Sequence, residues 1–191
     1  MRFSRLLTAR LLTACALLAI TSVLAHTCMA AGALVPNADK SKIQFVGHKA
    51  EGSHKGGFKE FELIAKADFE TPAKSSLKIV IDAASLWSDD DKLTTHLRSE
   101  DFFNVEKHPT ITFESSKIIH SPEPGKSKIV GKLLMLGTAQ EVEIPVDIKV
   151  DDEQVSIVAK FKLDRTKWGM TYGKGKINDE VDVVAEFVFG R

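Results

Sequence analysis

The chain has 191 residues, which suits one domain plus a removable segment. It carries 26 Lys and Arg against 26 Asp and Glu, so its formal net charge is zero. Because there is neither an excess of cations nor a basic block, nucleic-acid binding is not expected.

The first segment, residues 1–33, has the order of a secretory signal peptide: basic, then apolar, then small residues. Its uncharged apolar run, residues 11–25, is shorter than the roughly 20 residues that a membrane-spanning helix needs. We therefore predict cleavage after Ala30 or Ala33, a periplasmic or secreted protein, and no transmembrane segment in the mature chain. The alternative is an apolar helix that is retained as an anchor.

Both cysteines, Cys15 and Cys28, lie in the segment that is predicted to be lost. The mature domain would then contain no thiol, which excludes disulfides, cysteine nucleophiles and thiolate-bound metals. A lipoprotein acylated on Cys28 is a further alternative, although the residue before Cys28 is not the small one that is usual at such sites.

The rest of the chain alternates between apolar and polar residues, which is the pattern of strands with one buried face. Turn signals such as residues 51–57 separate the alternating segments. Eight strands are predicted, at residues 42–48, 61–69, 77–82, 110–119, 128–136, 142–150, 155–163 and 181–189. The mostly short links favour antiparallel neighbours.

One connection, between about Ala83 and Pro109, is long. Ser88 or one of the three aspartates at 89–91 can cap a helix, and early acidic residues suit the helix dipole. We predict a short helix at about residues 90–99, after which Pro109 holds the chain extended.

Eight antiparallel strands, each with one apolar face, can form a sandwich or a closed barrel. A closed barrel of this size can enclose one small ligand. Alternation alone does not separate a hollow barrel from a filled one, and by itself it favours a packed core.

The segment HLRSEDFFNVEKHPTITF, residues 96–113, resembles the signature of the YceI-like family of exported bacterial proteins. Further matching segments are IDAASL, GKLLMLGTAQEVEIPV, LDRTKWGM and NDEVDVVAEF, and the resemblance runs in order over residues 39–190. We therefore predict a single YceI-like domain at residues 39–191.

This resemblance implies an all-β fold: an eight-stranded antiparallel lipocalin-like barrel, with a short helix in the long crossover. It also implies a cavity for a long apolar ligand, such as a polyisoprenoid, an isoprenoid quinone or a fatty-acid-like lipid. Homodimers occur in the family. No catalytic group is attached to the fold and no cofactor is required, so a quinone or polyprenyl lipid would be bound as a ligand.

Large aromatic side chains are the candidates to line such a cavity. The two consecutive phenylalanines after the helix would point differently, one towards the interior and one against the wall. The candidate ligand-binding residues are Phe45, Phe61, Phe102, Phe103, Phe113 and Trp168.

Four polar residues, His96, Arg98, Asp101 and Arg165, are candidates for a structural role or for contact with a ligand head group. His96 and Asp101 are five residues apart and are not expected to share a helix face. Arg98 is expected to pin its segment by pairing with an acid such as Asp82.

Two other functions stay open from the sequence alone. One is a small exported enzyme that uses His96 with a nearby acid. The other is a packed structural barrel without a ligand. We predict no metal site, because the histidines lack ligand spacing and residues 89–91 lack the rest of a calcium loop.

Overall fold

The computed structural model describes residues 32–191, so the predicted signal peptide, apart from its last two residues, lies outside the described part. The described residues form one sheet and one α-helix, α1 (Asp91–Arg98). The strands are β1 (Gly32–Pro36), β2 (Lys42–Lys49), β3 (Gly52–Phe58), β4 (Phe61–Ala67), β5 (Ser76–Asp82), β6 (Leu86–Ser88), β7 (Thr110–His120), β8 (Lys126–Met135), β9 (Thr138–Val150), β10 (Gln154–Asp164) and β11 (Ile177–Gly190).

The eleven strands occupy eight positions around a barrel, because three positions hold two strands each, end to end. β1 and β2 both lie along β11, with Val35 opposite Gly190 and Lys42 opposite Glu186. In the next barrel position, β3 pairs with β2 and β4 pairs with β1. In the position after that, β6 pairs with β3 and β5 pairs with β4. Every neighbouring pair is antiparallel, so the eight positions form a meander.

β1 closes the barrel, since it pairs with β4 on one side and with β11 on the other. Closure leaves fewer strand edges to pair with other chains. The predicted all-β, eight-stranded antiparallel barrel with one short helix in the long crossover is therefore confirmed.

The eight predicted strands match β2, β4, β5 and β7 to β11. The prediction that residues 51–57 form a turn is wrong. Only Ala50 and Glu51 form the turn, and β3 begins at Gly52. Glycine is required within β3, since a Cβ atom on Gly56 would lie 2.5 Å from Cζ of Phe45. A large ring packs against the bare backbone there, which is a known use of glycine in strands.

The two-residue period places apolar side chains inside the barrel. Along β10, for example, Val155, Ile157 and Ala159 are buried, while the residues between them are more exposed. The buried inner faces and the residues under α1 form a single hydrophobic core.

The helix in the long crossover begins and ends close to the predicted residues. The Asp90 side chain caps it by accepting a hydrogen bond from the Leu93 amide at 2.8 Å. Ser99 follows the last helical residue, and β7 starts directly after Pro109. The helix and the segment behind it lie against the barrel, and Leu97 is buried there.

Candidate functional site

A cavity of about 330 Å³ lies inside the barrel. Its walls are formed by inward residues of β2, β3, β5 and β7 to β11, and by Leu93 and Leu97 of α1. Nearly all lining side chains are aliphatic or aromatic, and the volume lies at the lower end of the range of roughly 300–1,000 Å³ for small-molecule pockets. The barrel is therefore hollow, unlike the packed barrel that the alternation alone favoured.

Small side chains help to leave this space open. Ala159 of β10 and Ala185 of β11 are directly opposite each other, and both line the cavity. Larger residues at these two inward positions would extend into the cavity.

Three phenylalanines form one wall of the cavity. The Phe103 ring lies 5.6 Å from the Phe58 ring and 6.2 Å from the Phe45 ring, between centroids. All three line the cavity. The segment that follows α1 is thus joined to the barrel through β2 and β3.

Of the six aromatic residues predicted to bind a ligand, Phe45, Phe102, Phe103 and Phe113 line the cavity. Both members of the pair after α1 face it, rather than one of them. Their contact with a ligand stays a prediction.

Phe61 and Trp168 do not line the cavity. Phe61 packs against the ring of Phe187, which does line the cavity, at 6.2 Å between centroids. Trp168 is buried, and its Nε1 atom donates a hydrogen bond to the Leu133 carbonyl at 3.1 Å, so it fastens the β10–β11 connection to β8.

Arg165 is buried but lines the cavity, with only 3% of its surface exposed. Its guanidinium donates hydrogen bonds to the carbonyls of Met170, Tyr172, Ile177 and Asn178. These bonds use most of its donors, so the structural role is the one that its contacts support.

Arg98 lies away from the cavity, and its expected pairing with Asp82 is wrong. Its guanidinium donates a hydrogen bond to the Leu86 carbonyl of β6. The Asp82 side chain instead accepts a hydrogen bond from the Ala84 amide. Arg98 therefore pins α1 to the barrel as predicted, but through a backbone carbonyl.

His96 and Asp101 are hydrogen bonded, at 2.8 Å between Nε2 and Oδ2, although their spacing of five residues does not place them on one helix face. The helix ends at Arg98, and the chain turns back, which brings Asp101 beside His96. Neither residue lines the cavity, and their side chains are 38% and 44% exposed. Such an exposed pair, turned away from the cavity, does not form an enclosed catalytic centre.

Three polar residues at the β2–β3 end, His48, Lys49 and His54, also line the cavity. His48 is hydrogen bonded to Asp182 at 2.7 Å. His54 is hydrogen bonded to Asp89 at 3.0 Å. Hydrogen bonds from the Lys55 amide and from the His54 ring lower the pKa of the exposed Asp89 carboxyl. The carboxylate form thus holds β3 to the segment after β6.

Sequence reasoning missed Lys49 and the two alanines. The signal for Lys49 was present, since it continues the two-residue period of Ile43, Phe45 and Gly47 on β2. No comparable signal marked Ala159 and Ala185 as cavity residues, because alanine is equally common in filled cores.

No group of three or more His, Cys, Asp or Glu side chains within residues 32–191 could hold a metal ion. Over the same residues, no helix is both long and apolar enough to cross a membrane.

The closed barrel and its apolar cavity define the chain as a barrel protein of the kind that can enclose a small molecule. The family model for the YceI-like domain matches residues 35–189, and the chain therefore belongs to the YceI-like family. The family assignment made from residues 96–113 is confirmed.

Relatives and solved structures agree with this assignment. A UPF0312 protein of Ectopseudomonas mendocina is 35% identical over 89 residues, which are 47% of this chain and 46% of that protein. The chain thus matches about half the length of that relative. The crystal structure of Burkholderia cenocepacia BcnA has a TM-score of 0.75 and 25% identity, covering 80% of this chain and 98% of that one.

A polyisoprenoid binding domain from Saccharophagus degradans, implicated in plant cell wall breakdown, has a TM-score of 0.66. The superposition covers 84% of this chain and 98% of that domain, at 12% identity. This likeness is one of fold.

Proposed function

We propose that the protein binds a long apolar or amphiphilic molecule in its barrel cavity and carries out no chemistry on it. The observation that carries this proposal is the enclosed cavity, whose lining is almost entirely aliphatic and aromatic. Water finds few hydrogen-bonding partners in such a space. An apolar chain, by contrast, needs no hydrogen-bonding partner there, and its removal from water is favourable.

The energy that this burial supplies is sufficient for useful affinity. Each buried methylene group contributes about 0.8 kcal/mol, so a chain of about ten such groups gains about 8 kcal/mol before ordering costs. Part of that gain is offset by lost freedom of the chain and of the protein. Hydrophobic burial therefore supports sequestration without a large polar recognition site.

The ligand classes we propose are polyisoprenoids, isoprenoid quinones and fatty-acid-like lipids. The fold likeness to a domain described as polyisoprenoid binding supports the first class. The predicted signal peptide supports a place in the periplasm or outside the cell. The proposed role is sequestration or transport of such a lipid in the cell envelope.

Two matched variants test the proposal. Ala159→Phe extends a ring into the cavity, while Val158→Phe adds the same ring to the neighbouring outward position, opposite Glu186. We expect the wild type and Val158→Phe to bind a long-chain polyprenol, a long-tailed quinone or a long-chain fatty acid in fluorescence titrations. Ala159→Phe should lose at least about tenfold in affinity.

Native mass spectrometry of protein purified from its own host gives an independent measurement. Absence of a co-purifying lipid, together with no binding in the titrations, would contradict the proposal. Urea unfolding curves of Ala159→Phe and Val158→Phe would check that each variant still folds.

The enzyme alternative is tested by replacing His96 and Asp101 with Ala. We expect the bound lipid to be recovered chemically unchanged from the wild type and from both variants, since neither residue lines the cavity. Turnover of a bound lipid that disappears in these variants would instead establish an enzyme.

A further inference from the structure

The mouth of the cavity carries a lysine on its inner face. Lys49 is the last residue of β2; it is exposed, and it lines the cavity. By the two-residue period Lys49 shares a strand face with Ile43, Phe45 and Gly47, which line the cavity. Gln44 and His48 of the same strand line it as well. Its cross-strand partner Ile177 is a lining residue too, which supports the same orientation.

The other basic side chains that line the cavity already have partners. His48 is hydrogen bonded to Asp182, and His54 is hydrogen bonded to Asp89. Arg165 is surrounded by backbone carbonyls and lies 3.8 Å from Asp179. Lys49 forms no ion pair and no side-chain hydrogen bond with any of residues 32–191.

An unpaired ammonium group at the rim of an apolar space has a specific chemical consequence. The methylene stem of a lysine packs on apolar surface while its charged end stays at the water boundary. That end offers three donors and a full positive charge to an anion. A carboxylate or phosphate forms shorter and stronger hydrogen bonds with such a group than a neutral oxygen does.

We propose that the ligand is an amphiphile with an anionic head group, and that Lys49 binds this head while the tail enters the cavity. This inference rests on the proposed function and narrows its ligand class. Long-chain carboxylates and long-chain phosphates share the required chemistry. Alcohols and quinones with the same tail lack the charge.

The test uses three probes with one common tail: hexadecanoic acid, hexadecyl phosphate and hexadecanol. Each is titrated into the wild-type protein and into Lys49→Gln and Lys49→Arg variants. The wild type should bind at least one anionic probe about three to ten times more tightly than the alcohol. Lys49→Gln should lose this preference and keep its affinity for the alcohol, while Lys49→Arg should retain the preference.

Lys55→Gln is the matched control. Lys55 lies on the same hairpin, opposite Val46 and next to His54; it is exposed and does not line the cavity. This variant removes the same charge from the outer face and should leave the preference unchanged.

The outcomes separate this inference from the proposed function. Three results would overturn the role of Lys49 and leave lipid binding intact. The wild type could show no preference for an anionic probe over the alcohol, Lys49→Gln could keep that preference, or Lys55→Gln could lose it to the same extent. If none of the three probes binds the wild type, the proposed function fails as well. The tighter of the two anionic probes identifies the head group as a carboxylate or a phosphate.

Discussion

Arg165 holds together the long connection between β10 and β11. Its guanidinium bonds to carbonyls of Met170, Tyr172, Ile177 and Asn178, so both ends of the connection depend on one side chain. Buried carbonyls without a donor are costly, at about 1–3 kcal/mol for each unpaired group. This residue should therefore matter for stability more than for ligand selection.

We predict that Arg165→Met lowers the free energy of unfolding by about 3–5 kcal/mol, because it leaves one buried and three part-buried carbonyls without this donor. Urea denaturation measures the change. Lys167→Met is the control, since Lys167 is exposed on the same turn and its loss should cost less than about 0.5 kcal/mol. Equal stability of the two variants would show that the carbonyls find other partners.

Individual contacts were the least predictable part of the site. Four of the six candidate aromatic residues line the cavity. Their side chains point inward either because of the two-residue period of their strand or because they lie in the segment that follows α1. Phe61 has the correct period but does not line the cavity, because strand period carries no information on position along the barrel axis. The His96–Asp101 bond arises from the turn after the helix, which helix spacing does not describe.

The helix α1 and the β10–β11 connection are joined by a small aromatic cluster. The His96 ring lies 5.0 Å from the Phe102 ring and 4.8 Å from the Tyr172 ring, between centroids. Phe102 and Tyr172 are 5.2 Å apart. Because Phe102 also lines the cavity, this cluster holds the segment after α1 in place as part of the cavity wall.

Tyr172→Ala should loosen that segment without unfolding the barrel. Each aromatic pair contributes about 0.5–1.5 kcal/mol, so amides such as those of Phe103 and Val105 should exchange hydrogen about tenfold faster. These amides bond to carbonyls at the end of α1 and report on the segment directly. Hydrogen-exchange mass spectrometry measures the change.

Tyr172→Phe is the control for this prediction. The Tyr172 hydroxyl forms no hydrogen bond with the described residues, so the phenylalanine ring should preserve the normal exchange rates. Faster exchange across β10 and β11 to the same degree would mean that the substitution destabilises the whole barrel, and would contradict a local role.

At the level of elements, the sequence predicted strands wherever alternation was regular. It missed β3, because its glycines, among them the Gly56 that accommodates Phe45, were interpreted as turn signals. It also missed β1 and β6, which have five and three residues and are too short to show a period. Each of these three strands shares its barrel position with a strand that was predicted: β1 with β2, β3 with β4, and β6 with β5.

For the whole molecule, the meander was predictable because short links force neighbouring strands to be antiparallel. The cavity was not predictable from alternation, since inward residues look alike in a filled and in a hollow barrel. Only the resemblance of residues 96–113 to a family implied a cavity. The opposed pair Ala159 and Ala185 now gives a physical reason for part of that space.

Closure of the barrel depends on β1, which is the link between β4 and β11. It forms three residue pairs with β4 and two with β11. A chain that starts at Asn37 lacks all of them and leaves two strand edges unpaired at that end. We predict that this chain is about 2–3 kcal/mol less stable than one that starts at Ala31, because about five backbone hydrogen bonds are lost at a net 0.5 kcal/mol each.

A chain that starts at Leu34, the product of cleavage after Ala33, provides the intermediate case. It keeps both pairs with β11 but only one of three with β4, so its unfolding midpoint in urea should fall between the other two. Light scattering at rising concentration should show self-association for the chain that starts at Asn37, because exposed strand edges pair with other chains. Identical midpoints and no association for all three chains would show that the barrel stays closed without β1.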